Sequence, residues 1–233
     1  MKLSVFITLL VALFLHVVQV FAQTYVVRRI PGNSMHITGK GDNKAWEKAT
    51  VLTNFTYPWE SEQAPATSFS ALWDGEWLYC LYQVNDDSII TPVNRNDKID
   101  AGASDRVEIF MTRDSTMLPY YYCLEMDAAG RTLDYRASFY RKMDYAWSWP
   151  AKQFSMKTSI TTKGYIVEAA LSIQSLNDLG LLQNQRLLAG LFRAEKKNAQ
   201  EGYTGFHWIS WVKPNATQPD FHTPSAFGVL VLE

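Results

Sequence analysis

The carboxyl-terminal stretch Phe206–Glu233 gathers His207, Trp208, Trp211, Phe221 and His222 around a proline-containing loop. A closing strand needs only the alternation of Phe227, Val229 and Val231 with Gly228, Leu230 and Leu232. The surplus of polar-tipped aromatics suits a flat, partly apolar ligand such as a sugar ring, whose C–H face stacks on aromatics while planar hydrogen bonders take its hydroxyls. A carboxylate for that role stands at Glu108. Along Asp105–Phe110, alternation places Val107 and Ile109 on one face and Arg106, Glu108 and Phe110 on the other. The trio reads either as a satisfied ion pair or as a hydroxyl-binding group.

Other residues offer similar chemistry. Trp147 and Trp149 are two apart before Pro150, so an extended backbone puts both rings on one face, as a sugar platform or as caps on a core. Trp208 and Trp211 are three apart and face opposite sides of a regular strand, which sends one of them to the core. Arg193 and Glu195 share a strand face, as an internal ion pair or as ligand contacts. His222 either holds its loop or touches a ligand. Asp86, Asp87, Asp97, Asp100 and Asp105 are oxygen donors that suit calcium, although none has the loop spacing of a dedicated calcium motif and Asp-rich turns are common. Hydrolysis of a glycoside would need two carboxylates flanking a cleft. Glu108, Glu125 and Glu195 are available, but no spacing marks an acid–base pair.

The elements that must position these groups are strands. Short β-rich runs separated by Gly, Asp, Asn and Pro extend from Tyr25 to Leu232, including Val51–Thr56, Trp77–Asn85, Arg106–Thr112, Tyr121–Met126, Thr132–Phe139, Tyr165–Ser172 and Arg186–Glu195. Asp74-Gly75 and Lys163-Gly164 mark hairpin turns. Helical signals are confined to one turn over Ala45–Ala49 and another over Ile173–Leu179, stopped by Gly180. The pattern predicts an all-β fold, a two-sheet antiparallel β-sandwich of jelly-roll or immunoglobulin-like type, in one domain over residues 23–233. Runs such as Trp77–Tyr82 are apolar on both faces, so one face lies in the core and the other is covered or lines a site.

Residues 1–22 read as a secretory signal: Lys2, an apolar run from Leu3 to Val20, and Val20-Phe21-Ala22 as a cleavage pattern. A secreted or periplasmic protein is expected, with no membrane insertion after cleavage. The net charge of −1 and the absence of a Lys/Arg cluster argue against nucleic acid. Cys80 and Cys123 are the only cysteines, so an extracellular address permits one disulfide, with two buried thiols as the alternative. Asn54-Phe-Thr56 and Asn215-Ala-Thr217 are glycosylation acceptors if the source is eukaryotic.

In order along the chain stand ITGKGDNKAWEKA (Ile37–Ala49), ALWDGEWLYCLYQVNDDSI (Ala71–Ile89), SDRVEIFM (Ser104–Met111), YYYCLEMDAAGRTLDYR (Tyr120–Arg136), KGYIVEAALSIQSL (Lys163–Leu176) and a terminal PSAFG. With these the chain resembles the family 9 carbohydrate-binding modules and their DOMON-like relatives over nearly all of residues 23–233. The resemblance implies a β-sandwich without catalytic machinery, found beside xylanases or alone in secreted proteins. It implies binding to the ends of β-glucan or xylan chains, glycoside hydrolases as partners, and no required cofactor beyond structural calcium. In the family, two tryptophans hold a terminal sugar, one ahead of the VEIF strand and one ahead of P-S-x-F-G. Here Asp100–Asp105 contains no aromatic and Phe221 occupies the second place, while the glutamate of VEIF is present as Glu108. The DOMON side of the resemblance raises haem binding, with His207 and Met126 as conceivable axial ligands.

Overall fold

The computed structural model describes residues 23–95, 97–196 and 205–233. The expected leader over residues 1–22 lies outside these. The chain forms β1 (Thr24–Arg29), β2 (Thr67–Trp73), β3 (Trp77–Asn85), β4 (Arg106–Thr112), β5 (Tyr121–Asp127), β6 (Thr132–Ser138) and β7 (Lys142–Asp144). It continues through β8 (Phe154–Thr161), β9 (Gly164–Ser172), helix α1 (Ile173–Asp178), β10 (Leu182–Gln183), β11 (Arg186–Lys196), β12 (Phe206–Ser210) and β13 (Gly228–Leu232). Single 3-10 turns span Lys44–Lys48 and Lys98–Ala103.

The strands follow one curled path, β7-β6-β5-β4-β11-β13-β1-β2-β3-β9-β8, with β10 and β12 added to β11. It folds into two facing layers, and the expected all-β sandwich is present. One departure from a purely antiparallel arrangement occurs at β1, which runs parallel to both β13 and β2 and joins the layers. The expected strand Val51–Thr56 is reduced to two isolated bridges, Leu52 to Phe69 and Thr56 to Ser210. Its ends pair with different strands, so it ladders with neither.

The principal core lies between the layers. Val107, Ile109 and Met111 of β4 and Leu124 and Met126 of β5 meet Cys80, Tyr82 and Val84 of β3 and Val167 and Ala169 of β9. The turn Lys163-Gly164 fits closely beneath β3: Gly164 has φ +145°, and a β-carbon there would meet Val84 O at 2.0 Å. The double-sided apolar run in β3 has a structural explanation. Its outer residues, Tyr79 and Leu81, are covered by Met35, Ile37 and Trp46 of the amino-terminal segment.

That cover is pinned by one buried carboxylate. Glu168 of β9 accepts from Thr38 N at 2.8 Å, Gly39 N at 2.5 Å, Thr38 Oγ1 at 3.3 Å and Trp46 Nε1 at 2.8 Å. The GDNKAW and GYIVEAA segments are thereby two halves of one clasp. The outer face of the other layer is covered differently, by a smaller cluster under loops that includes Phe110, Cys123, Tyr135, Phe192 and Phe221.

Candidate functional site

The loops leave a cavity of ≈ 440 Å³ on this outer face. Strand register builds its floor. Glu108 pairs with Glu125 on one side and Phe192 on the other, and Glu125 pairs with Leu133, so these side chains share the outer face of β4, β5, β11 and β6. Arg106, Glu108 and Phe110 point away from the main core, as their alternation requires.

The floor is polar and almost dry. Glu108 is 1% exposed, and Arg106 Nε lies 2.8 Å from Glu108 Oε1 and 2.7 Å from Glu125 Oε2. Arg106 also donates to Gly102 O at 2.9 Å and stands over the rings of Phe206 and Trp208 at 4.8 and 5.7 Å. Glu125 accepts from Tyr135 OH at 2.9 Å. The one guanidinium thus serves both carboxylates. Burial holds the Glu108 pKa above the usual carboxylate range; Arg106 opposes the shift and Glu125 reinforces it.

One wall is aromatic. Phe221 stacks on Phe192 with centroids 4.0 Å apart and planes at 7°, and Trp208 meets Phe221 edge-on at 5.6 Å. Gly190 makes the stack feasible, since a β-carbon there would come within 2.2 Å of Phe192 Cζ. His222 is the neighbouring support. Its Nδ1 shares a hydrogen bond with Tyr121 OH at 2.9 Å, and burial, helped by Arg141, lowers its pKa to about 4, so the ring is neutral near pH 7.

Of the residues singled out in the sequence, Glu108, Trp208, Phe221 and His222 surround this cavity. The others lie elsewhere. Trp211 is in the main core. Trp149 is buried, with its indole N–H donating to Ser175 at 3.1 Å, and Trp147 packs 5.1 Å from Tyr122, so both rings close the edge of the core beside α1. Arg193 and Glu195 share a face, but it is the face of Val107 in the paired strand and looks inward. There Arg193 pairs with Asp86 at 3.1 Å and Glu195 at 3.4 Å, and Tyr57 donates to Glu195. Arg106 and Phe110 of the same strand face line the cavity too, whereas Tyr135, Tyr145, Arg141 and Asp220 line it and were not singled out as ligand contacts. Alternation alone would have put Leu133 and Tyr135 on one face; which face lies outward depends on the packing of the second layer.

The disulfide alternative is corrected: Cys80 and Cys123 are free and buried in different clusters, Cys80 on β3 in the core between the layers and Cys123 on the outer face of β5. The axial-ligand pair is also absent in space, with Met126 in the main core and His207 bonded to Glu60 beside Tyr57. The aspartates considered for calcium have partners within the chain. Asp100 accepts from Asn94 N and Arg95 N and faces Arg131 at 3.6 Å, while Asp105 accepts from Ile90 N and Lys196 N at 2.5 and 2.6 Å. Asp86 accepts from Ser88 N and pairs with Arg193, and Asp87 is exposed. Asp86, Asp100 and Asp105 thus accept from N–H donors, and among the described residues no group of three or more His, Cys, Asp or Glu converges.

An all-β sandwich with an aromatic-walled, polar-floored cavity on a sheet face has the architecture of a ligand-binding module. The chain belongs to the carbohydrate family 9 binding domain-like family, whose model matches residues 37–233. It is 27% identical over 196 residues to Exoglucanase XynX of Acetivibrio thermocellus, covering 84% of this chain and 16% of that protein. It is 26% identical over 196 residues to Endo-1,4-beta-xylanase A of Thermoanaerobacterium saccharolyticum, again covering 84% of this chain but 15% of that one. The chain therefore spans only about a sixth of the length of these enzymes. Two further likenesses concern the fold. A Bacteroides uniformis protein described as a candidate carbohydrate-binding protein superposes with a TM-score of 0.72 at 16% identity, over 91% of this chain and 100% of its own. A family 9 module of Caldicellulosiruptor kristjanssonii, solved with cellotriose, gives 0.59 at 18% identity, over 91% of this chain and 94% of that one.

Proposed function

We propose that this protein is a secreted, non-catalytic module that binds β-linked glucan or xylan chains, or their ends, in the cavity above Glu108. One observation carries the reading. Glu108 and Glu125 share the Arg106 guanidinium on the floor of a cavity walled by Trp208 and Phe221. Charged, planar hydrogen-bonding groups on such a floor suit the hydroxyls of a sugar whose ring packs on the aromatics. The Caldicellulosiruptor module solved with cellotriose and another structure of that module with glucose support this class of ligand. The xylanase relatives support xylan and a role beside glycoside hydrolases in polysaccharide breakdown. The Lys2–Ala22 pattern supports export.

Isothermal titration with glucose, cellotriose and xylotriose tests the reading. Binding in the micromolar to millimolar range is expected, with Trp208→Ala at least tenfold weaker. A wild-type protein silent to all three sugars at millimolar concentration would overturn it.

Hydrolysis is the second reading, because Glu108 and Glu125 are a cross-strand pair and burial keeps a proton on Glu108 to higher pH. Both carboxylates, however, stand on one floor and share one guanidinium, whereas glycosidase carboxylates flank the scissile bond. No release of reducing ends from xylan or glucan is expected.

A further inference from the structure

The cavity has a second flank opposite Trp208 and Phe221, built by the hairpin of β6 and β7. Tyr145 follows β7 directly, packs on Tyr135 with centroids 5.1 Å apart, and lines the cavity while remaining 46% exposed. Tyr135 in turn lies 6.4 Å from Phe110 on the floor, so Tyr145 stands on a continuous aromatic base. The hairpin is tied to the opposite loop across the mouth. Asp220 accepts from Tyr140 OH at 2.7 Å and from Arg141 Nη1 at 3.1 Å, and it also accepts from His222 N at 2.9 Å. Phe221 is the residue after Asp220, so this clasp links the two flanks through one carboxylate.

A half-exposed tyrosine is common on protein surfaces. Here, however, the ring is backed by aromatics, faces a polar-floored cavity and lies across from a second aromatic wall. From this geometry, and resting on the glycan-binding reading above, we infer that Tyr145 is a ligand-contacting residue: the second aromatic wall, packing against a sugar ring held over Glu108. The ring face makes the contact, and the hydroxyl is not required.

The test is titration of cellotriose into the wild type, Tyr145→Ala, Tyr145→Phe, Phe139→Ala and Trp208→Ala, with each variant's thermal transition recorded. Phe139 is exposed and does not line the cavity, so it reports on nonspecific effects of the hairpin. Tyr145→Ala is expected to bind about tenfold more weakly, the order for losing one packed aromatic face. Tyr145→Phe and Phe139→Ala are expected to match the wild type. Wild-type affinity in Tyr145→Ala alongside a loss in Trp208→Ala would overturn the second wall and leave the function standing. An equal loss in Tyr145→Phe and Tyr145→Ala would overturn the stacking role and assign the contact to the hydroxyl. Loss in Phe139→Ala as large as in Tyr145→Ala would likewise refute a specific wall. Absence of binding in the wild type would refute the glycan-binding reading itself.

Discussion

Gly190 gives the sharpest link between one residue of sequence and the shape of the cavity. It lies on β11 opposite Phe110, and its φ is not among the positive values, so alanine is conformationally acceptable there. The obstacle is steric. An added β-carbon would meet Phe192 Cζ at 2.2 Å and Cε2 at 2.5 Å. Phe192 has little room to retreat, being stacked on Phe221 at 4.0 Å and set edge-on to Phe110 at 5.2 Å. Overpacking of this kind costs about 1–3 kcal/mol, and loss of the aromatic stack adds about 1 kcal/mol. The reduced freedom of the unfolded chain returns about 0.5 kcal/mol. Gly190→Ala should therefore lose about 1.5–3.5 kcal/mol, lowering Tm by roughly 3–14 °C for a domain of this size. Differential scanning calorimetry reads the stability, and cellotriose titration reads the displaced Phe221 wall. Phe192→Leu combined with Gly190→Ala should recover part of the loss, because the clash is with that ring. An unchanged or higher Tm for Gly190→Ala would refute the steric argument.

Two further outcomes follow from buried ionisable groups. Glu168→Ala leaves the donors from Thr38, Gly39 and Trp46 without their acceptor and should cost about 3 kcal/mol, with cellotriose affinity unchanged because the clasp is remote from the cavity; chemical denaturation and titration check both halves. His222, with a folded pKa of about 4 against an ordinary 6.5, takes its proton later than it does in the unfolded chain, so wild type loses up to about 3 kcal/mol as pH falls through that window. Asp105 acts with the opposite sign, since burial raises its pKa to about 7 and its contribution grows more favourable as pH falls from 7 towards its ordinary value. The difference in unfolding free energy between wild type and His222→Gln, taken at each pH, isolates the histidine; a difference independent of pH between 6.5 and 4 would contradict its neutral burial.

Alternation made the layers and the Arg106-Glu108-Phe110 face legible in the sequence, because strand period alone decides which residues share a side. It did not identify which side of each strand was covered. Arg193 and Glu195 obey the same rule as Glu108, yet the register pairs Arg193 with Val107 and sends that face inward. Trp147 and Trp149 depend on a different fact, the proximity of β5 and α1 to the segment before Pro150, which no local pattern records. Tyr145 was equally hidden. Its position follows from a three-residue strand, β7, too short to show any periodicity.

The two outer faces of the sandwich explain why one became a site and the other did not. Each carries a buried glutamate on a central strand. Glu168 receives four hydrogen bonds from a chain segment that lies across its layer, so its polar demand is met and the face above it is filled with Met35, Ile37 and Trp46. Glu108 is met instead by the Arg106 guanidinium, which it shares with Glu125, and the loops above it part to leave a cavity. Burying two carboxylates against one guanidinium costs free energy that the fold must offset elsewhere. The same fold covers Glu168 with donors from a crossing segment, so the open face above Glu108 is not imposed by strand geometry. It is a property of the loops.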